Sequence, residues 1–240
     1  MHYFLLLALW LIAGSVLGQT PVLVVQADRW CPYNCEPGTK APGYVVEILQ
    51  RVFELDGVTL NYQITPWDRA IKNAREGKAA AVIGASANDA LERNLLIGKE
   101  PIGFASDCLY VAHSNPLVYR TAADLDGLRS VAVVSGYTYA ADLGNWVADP
   151  KNKARIVMSH GDAPNAANLR NLARGRIDGV IDEASVLKML AHDLGISDKV
   201  RLAGCTGREA VFVAFSKRFP DAESKVAQLD RGLSDMRKNG

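Results

Sequence analysis

What the sequence lacks narrows its function first. It lacks a net charge: 27 Lys and Arg stand against 26 Asp and Glu over 240 residues, a formal charge of +1. No basic excess is present to draw in nucleic acid or an anionic membrane surface, and neither is expected as a partner. It lacks a phosphate-cradling glycine loop and a dinucleotide fingerprint. It lacks the Gly-x-Ser-x-Gly turn of a serine hydrolase, since Gly84-Ala85-Ser86-Ala87-Asn88 departs at the final glycine. The four histidines (His2, His113, His160 and His192) are scattered, and none has zinc-ligand spacing. No cofactor or metal is expected. Aromatic residues are scarce at 8%, so any clustering among them carries information. There is no Gly/Ser linker and no low-complexity tract. The rest, 49% apolar and 22% charged, is globular composition of a length that suits one large domain or two small ones.

One apolar run is present, at residues 3–13 (YFLLLALWLIA). It has the length of a signal-peptide core and falls short of the ~20 residues that span a bilayer. Val16-Leu17-Gly18 is an acceptable cleavage tripeptide, which places the expected signal peptide at 1–18 with the cut after about Gly18. Only His2 precedes the run, with no Lys or Arg, and a buried N-terminal strand is the alternative. No later run approaches membrane-spanning length, so an exported, soluble protein is expected.

Export favours disulfides among the four cysteines. Four cysteines allow three connectivities. Cys31 and Cys35 would close a small Pro-containing loop, which leaves Cys108 and Cys205 as the second pair. A Cys31–Cys205 link or four free thiols remain the alternatives. A four-thiolate zinc site would need a second close pair, which the spacing does not supply.

The chain reads as a β/α alternation. Residues 22–27 form a β-branched run suited to a buried strand. Residues 43–56 switch period: Val45, Ile48, Leu49, Val52 and Phe53 recur at three- and four-residue spacing, the mark of an amphipathic helix ended by Gly57. Strands are expected at 58–64 and 79–85, with a short helix at 68–76 between them. The pattern repeats with strands at 130–134, 155–158 and 177–181, and helices at 139–148, 165–174 and 184–194. Strands at 200–203 and 211–216 and a closing helix from about 222 follow. Such alternation implies parallel sheets with helices on both faces. The two series suggest two lobes, with a strand at 107–112 between them. If the segment from Val211 returns to the first lobe, two crossings join the lobes and a Cys108–Cys205 bridge would staple them. The expected division is 19–108 plus 206–240 for one lobe and 109–205 for the other.

Five segments in register carry a resemblance: Ala27-Asp28-Arg29-Trp30-Cys31-Pro32-Tyr33; Gly43-Tyr44; Pro66-Trp67-Asp68-Arg69-Ala70; Gly136-Tyr137-Thr138; and Gly175 to Glu183, GRIDGVIDE. Together they resemble the extracellular solute-binding proteins of family 3, the polar amino-acid-binding components of ABC importers. The resemblance covers nearly the whole chain after residue 18. It implies an α/β, two-lobed periplasmic-binding-protein-like (type II) fold, each lobe a mainly parallel sheet flanked by helices, joined by a two-strand hinge. It also implies a periplasmic monomer that holds a small polar, amino acid-like ligand between the lobes. Such a protein delivers its ligand to a membrane ABC permease and performs no chemistry on it.

In open α/β sheets ligands sit beyond the carboxyl ends of strands. Trp30 and Tyr33 follow the first strand and Trp67 opens a helix, so these aromatics are candidates to sandwich a ligand; core packing is the alternative, most evenly balanced for Tyr33. The resemblance implies that an Arg one turn into the helix after strand 79–85 holds the ligand carboxylate. Arg93, one or two residues late, is the candidate, with Ser86 as hydroxyl donor. It implies that the backbone of Gly136, Tyr137 and Thr138 receives the same carboxylate and that Asp182 takes the ammonium. Asp182 as a helix N-cap is the structural alternative, and Glu183 shares or replaces it. Arg69 either reaches the cleft or pairs with Asp68 or Glu47. Two other functions fit the same lobes: a ligand-sensing module feeding a receptor, and an exported dehydratase or lyase-like enzyme using Glu183 or Glu36 as acid or base.

Overall fold

The computed structural model describes residues 21–239, so the signal-peptide expectation at 1–18 lies outside the described residues. Strand β1 (Val22–Ala27) leads into helix α1 (Tyr44–Glu54), β2 (Thr59–Ile64), α2 (Trp67–Glu76) and β3 (Ala81–Ala85). A short α3 (Ala87–Glu92), β4 (Leu95–Leu96) and β5 (Gly103–Ala105) complete the first passage. The chain then enters a second sheet with β6 (Asp107–Ala112), β7 (Val131–Val134), α4 (Ala141–Ala148), β8 (Ile156–Ser159) and α5 (Pro164–Ala173). It continues through β9 (Gly179–Glu183), α6 (Ala184–Asp193) and β10 (Val200–Cys205), and returns with β11 (Glu209–Ser216) and α7 (Ala222–Asn239).

The first sheet runs β2-β1-β3-β11-β4 with β5 on β11; the second runs β10-β6-β9-β7-β8. Both sheets are more mixed than expected. The β/α units give the parallel pairs β1–β2, β1–β3, β7–β8 and β7–β9. The strands next to the crossings are antiparallel to their neighbours: β11 to β3, β4 and β5, and β6 to β9 and β10. They reach their sheets directly from the other half of the molecule, without the crossover helix that makes a parallel neighbour. The helix expected from 139 begins at Ala141, because residues 136–140 form a turn that faces the other sheet. The strand expected at 177–181 lies two residues later, which puts Asp182 in β9.

The amphipathic spacing of α1 does what it promises. Val45, Val46, Leu49, Val52 and Phe53 are buried, and Phe53 meets Phe215 of β11 edge to face at 6.4 Å. The helix start has no side-chain cap. Its first N–H groups donate instead to the backbone of the preceding turn, Tyr44 to Pro32 and Val45 to Tyr33, at 3.1 and 3.0 Å. This docking requires Gly43: its φ is +103°, and any Cβ would overlap the Tyr33 carbonyl.

Two chain segments join the halves. Ala105 pairs with Glu209 on the first side, and Cys108 with Cys205 on the second. Between them the Thr206 N–H donates to the Asp107 carbonyl at 2.8 Å, so the ladder is nearly continuous through the crossing. Cys31 is bonded to Cys35 and Cys108 to Cys205, as the sequence favours. The second bridge spans 97 positions and links the crossing strands side by side. A disulfide typically contributes on the order of 2–4 kcal/mol, and loop-closure entropy places so long a span at the upper end of that range. Replacing Cys108 and Cys205 together by Ala should lower the urea unfolding free energy by about that amount, measured with the Cys31–Cys35 bridge intact.

Candidate functional site

The site forms where the carboxyl ends of the β/α strands in one sheet face those of the other. The Cys31–Cys35 turn sets Trp30: its backbone N–H donates to the Asn34 carbonyl and its carbonyl receives Tyr33 N–H, both at 2.9 Å. Tyr33 stacks on the Trp30 ring with centroids 4.2 Å apart, and Gly84 of β3 also lies against the ring. Trp67 is the first residue of α2 and is buried. Trp30 and Trp67 thus become two walls of a cleft between the sheets.

The cleft is crossed by side-chain hydrogen bonds. Trp30 Nε1 donates to Asp182 Oδ1 at 2.9 Å, and Trp67 Nε1 to the Gly136 carbonyl at 3.1 Å. Tyr137 OH donates to Asp28 Oδ2 at 2.6 Å, and Thr138 Oγ1 to Asp89 Oδ1 at 2.8 Å. Ser135 Oγ donates to Asp68 Oδ2 at 2.7 Å. Arg93 reaches across to the Gly136 carbonyl at 2.6 Å while its Nε holds Asp89 Oδ1 at 3.1 Å. Closure is tight at Gly136, where a Cβ would overlap the Asp68 carboxylate.

The lining is acidic. Asp28, Asp89, Asp107, Asp182 and Glu209 contribute to it, and none of the described lining residues is Lys, Arg or His. Burial pushes the Asp28 carboxyl up from 3.8 to about 6, although the Tyr137 hydroxyl tempers the rise. Burial likewise lifts Asp107 to about 6 against the Ala140 N–H, and Asp182 to about 7 against the N–H groups of Trp30 and Glu183 and the neighbouring Asn165 amide. Removing a carboxylate from water without a countercharge penalises its ionised form, so each takes up a proton more readily than in an unfolded chain.

The structure brings most of the expected residues together and reassigns several. Trp30, Trp67, Ser86, Tyr137, Thr138 and Asp182 line the cleft. Tyr33 is buried in the first core behind Trp30 and supports it. Asp182 is not the cap of α6; that role falls to Glu183, whose Oε2 accepts from Ser185 N–H and Val186 N–H. Ser86 caps α3 by accepting from Asp89 N–H. Arg93 lies just past the end of the six-residue α3, not one turn into a helix. The Gly136–Thr138 turn does not open α4 directly. Ala140 does, and its N–H donates to Asp107 Oδ2 at 2.6 Å. Arg69 is exposed on α2, outside the lining. Glu36 is exposed and pairs with Arg29. Sequence reasoning passed over Asp28, Asp89, Asp107 and Glu209. Asp28, two residues before Trp30 at the end of β1, carried the clearest signal.

No family model matches the chain, and no curated protein matches its sequence. Solved structures do. A histidine kinase sensor domain described as similar to periplasmic binding proteins superposes with a TM-score of 0.75 at 20% identity, covering 92% of both chains. The arginine-, lysine-, histidine-binding protein ArtJ of Geobacillus stearothermophilus gives 0.71 at 17%, covering 92% of this chain and 90% of that one. A structure from work on glutathione import through GshT and the cystine ABC importer TcyBC of Streptococcus mutans gives 0.73 at 18%, covering 92% and 90%. The fold is that of the periplasmic binding proteins. At these identities the likeness establishes the architecture alone.

Two outcomes follow from the cleft. A carboxyl whose folded pKa is raised stabilises below its unfolded value and loses that contribution as pH rises through the folded value. The wild-type melting temperature should therefore fall between about pH 4 and about pH 7, and Asp182→Asn should lose less over that interval, read by differential scanning fluorimetry. Gly136→Ala should displace the Asp68 carboxylate from Ser135 and strain a backbone held at φ +76°, lowering the melting temperature in the same assay.

Proposed function

We propose that the protein is a periplasmic solute-binding module that captures a small polar ligand, an amino acid or related amine or carboxylate, in the cleft and delivers it to a membrane ABC permease. The single observation that carries this reading is the cleft itself, walled by Trp30 and Trp67 and edged by donors and acceptors from both halves. The lobes are residues 19–106 plus 206–240 and 107–205; the expected boundary at 108 moves back because β6, with Cys108, pairs wholly within the second sheet. The crossing at Ala105–Asp107 and Cys205–Glu209 serves as the hinge, and the protein works as a monomer after removal of residues 1–18. Ligand shifts the population toward the closed form by adding contacts to both lobes. The two carboxylates considered for acid–base work, Glu183 and Glu36, are occupied as a helix cap and a surface ion-pair partner, which supports binding without turnover.

A second reading, a sensor module feeding a receptor, is favoured by the superposition on a histidine kinase sensor domain. Loss of cellular uptake of the bound solute on deletion of the protein supports delivery; unchanged uptake supports sensing.

A thermal-shift screen of amino acids, amines, short peptides and sugars should give hits whose stabilisation grows with concentration as ligand linkage requires. Recovery of the hit unchanged after incubation, by mass spectrometry, fits a binding module. No stabilisation by any small polar solute would overturn this reading.

A further inference from the structure

Two of the groups that would hold a ligand carboxylate, Arg93 and the Ala140 N–H, already bond the protein's own carboxylates. Arg93 is the cation at the cleft edge, and its guanidinium is divided between Asp89 Oδ1 and the Gly136 carbonyl. At the opening of α4 the Ala140 N–H already donates to Asp107 Oδ2. Arg208 lies 5.4 Å over the Phe104 ring and outside the lining. Asp182, 1% exposed and part of the lining, has the Asn165 amide nearby, but its Oδ2 makes no well-formed hydrogen bond. A second carboxylate brought in by a ligand would meet five acidic residues and no uncommitted cation. Like charges in a cleft shielded from water repel strongly.

The geometry points to a ligand that carries positive charge and no carboxylate, an aliphatic amine or guanidine held between Trp30 and Trp67 with its cation on Asp182 and Asp28. This rests on the reading of the cleft as a solute site. Tyr33 covers one face of Trp30, which leaves the remaining indole surface to attract such a cation, and the Asp182 carboxylate gains the countercharge that the closed cleft does not otherwise give it.

The test compares molecules that differ only in the carboxylate. Isothermal titration calorimetry at pH 7.5 would set agmatine against L-arginine and cadaverine against L-lysine. The expected result is at least tenfold tighter binding of the decarboxylated member of a pair. Asp89→Asn, which removes the carboxylate charge beside Arg93, should narrow that ratio and leave amine affinity less affected than arginine or lysine affinity. Equal or tighter binding of the amino acids overturns the inference and leaves the solute-binding reading standing. So does failure of all four probes when the screen finds another ligand, such as a neutral amino acid or a sugar. If no small solute binds at all, the solute-binding reading falls as well.

Discussion

Bringing two α/β halves together over a set of carboxylates is the constraint on which the rest of the structure depends. Ionised carboxylates resist burial unless they find donors or countercharge. This protein supplies donors from the opposite half: the Trp30 indole for Asp182, the Tyr137 hydroxyl for Asp28 and the Thr138 hydroxyl for Asp89. Each bond satisfies a polar group and ties the halves together. The elevated proton affinities of Asp28, Asp107 and Asp182 measure how far that satisfaction stops short of full countercharge.

The scaffold makes these contacts possible by fixing what each side presents. The Cys31–Cys35 turn docks on the start of α1 through backbone hydrogen bonds and holds Trp30 with Tyr33 stacked behind it. Ser86 and Glu183 cap α3 and α6 from the ends of β3 and β9, so the segments that approach the cleft have their backbone donors satisfied locally. The crossing segments keep hydrogen-bonded pairing on both sides of Asp107, and the Cys108–Cys205 bridge binds them to each other. Motion between the halves is then confined to few backbone positions, as a hinge requires.

Much of the architecture was legible because it rests on local periodicity. The helix around Val45 to Phe53 and the β-branched strands announce themselves by spacing, and Gly57, Gly77 and Gly175 punctuate them. The place of Trp30, Trp67, Tyr137 and Asp182 along the cleft was legible because they follow strand ends or open a helix. Other positions were not legible. Arg93 stood out as a candidate, but its bond to Gly136 depends on the opposite half and the place of Asp107 on the routing of β6, and no local pattern encodes a partner 43 or 33 positions away. The antiparallel entry of β6 and β11 likewise follows from how the crossings are routed.

By itself the sequence determined the order of strands and helices, the apolar faces they bury and the aromatics available to a site, because these follow from side-chain periodicity and backbone preference over a few residues. Only the tertiary structure decided the chemistry of the cleft. Folding sets Asp28, Asp89, Asp107 and Asp182 around one space while committing Arg93 to a protein carboxylate and a backbone carbonyl. A chain with almost no net charge therefore folds to give an acidic interior, because electrostatics inside a protein depend on which charges are buried together and not on their sum.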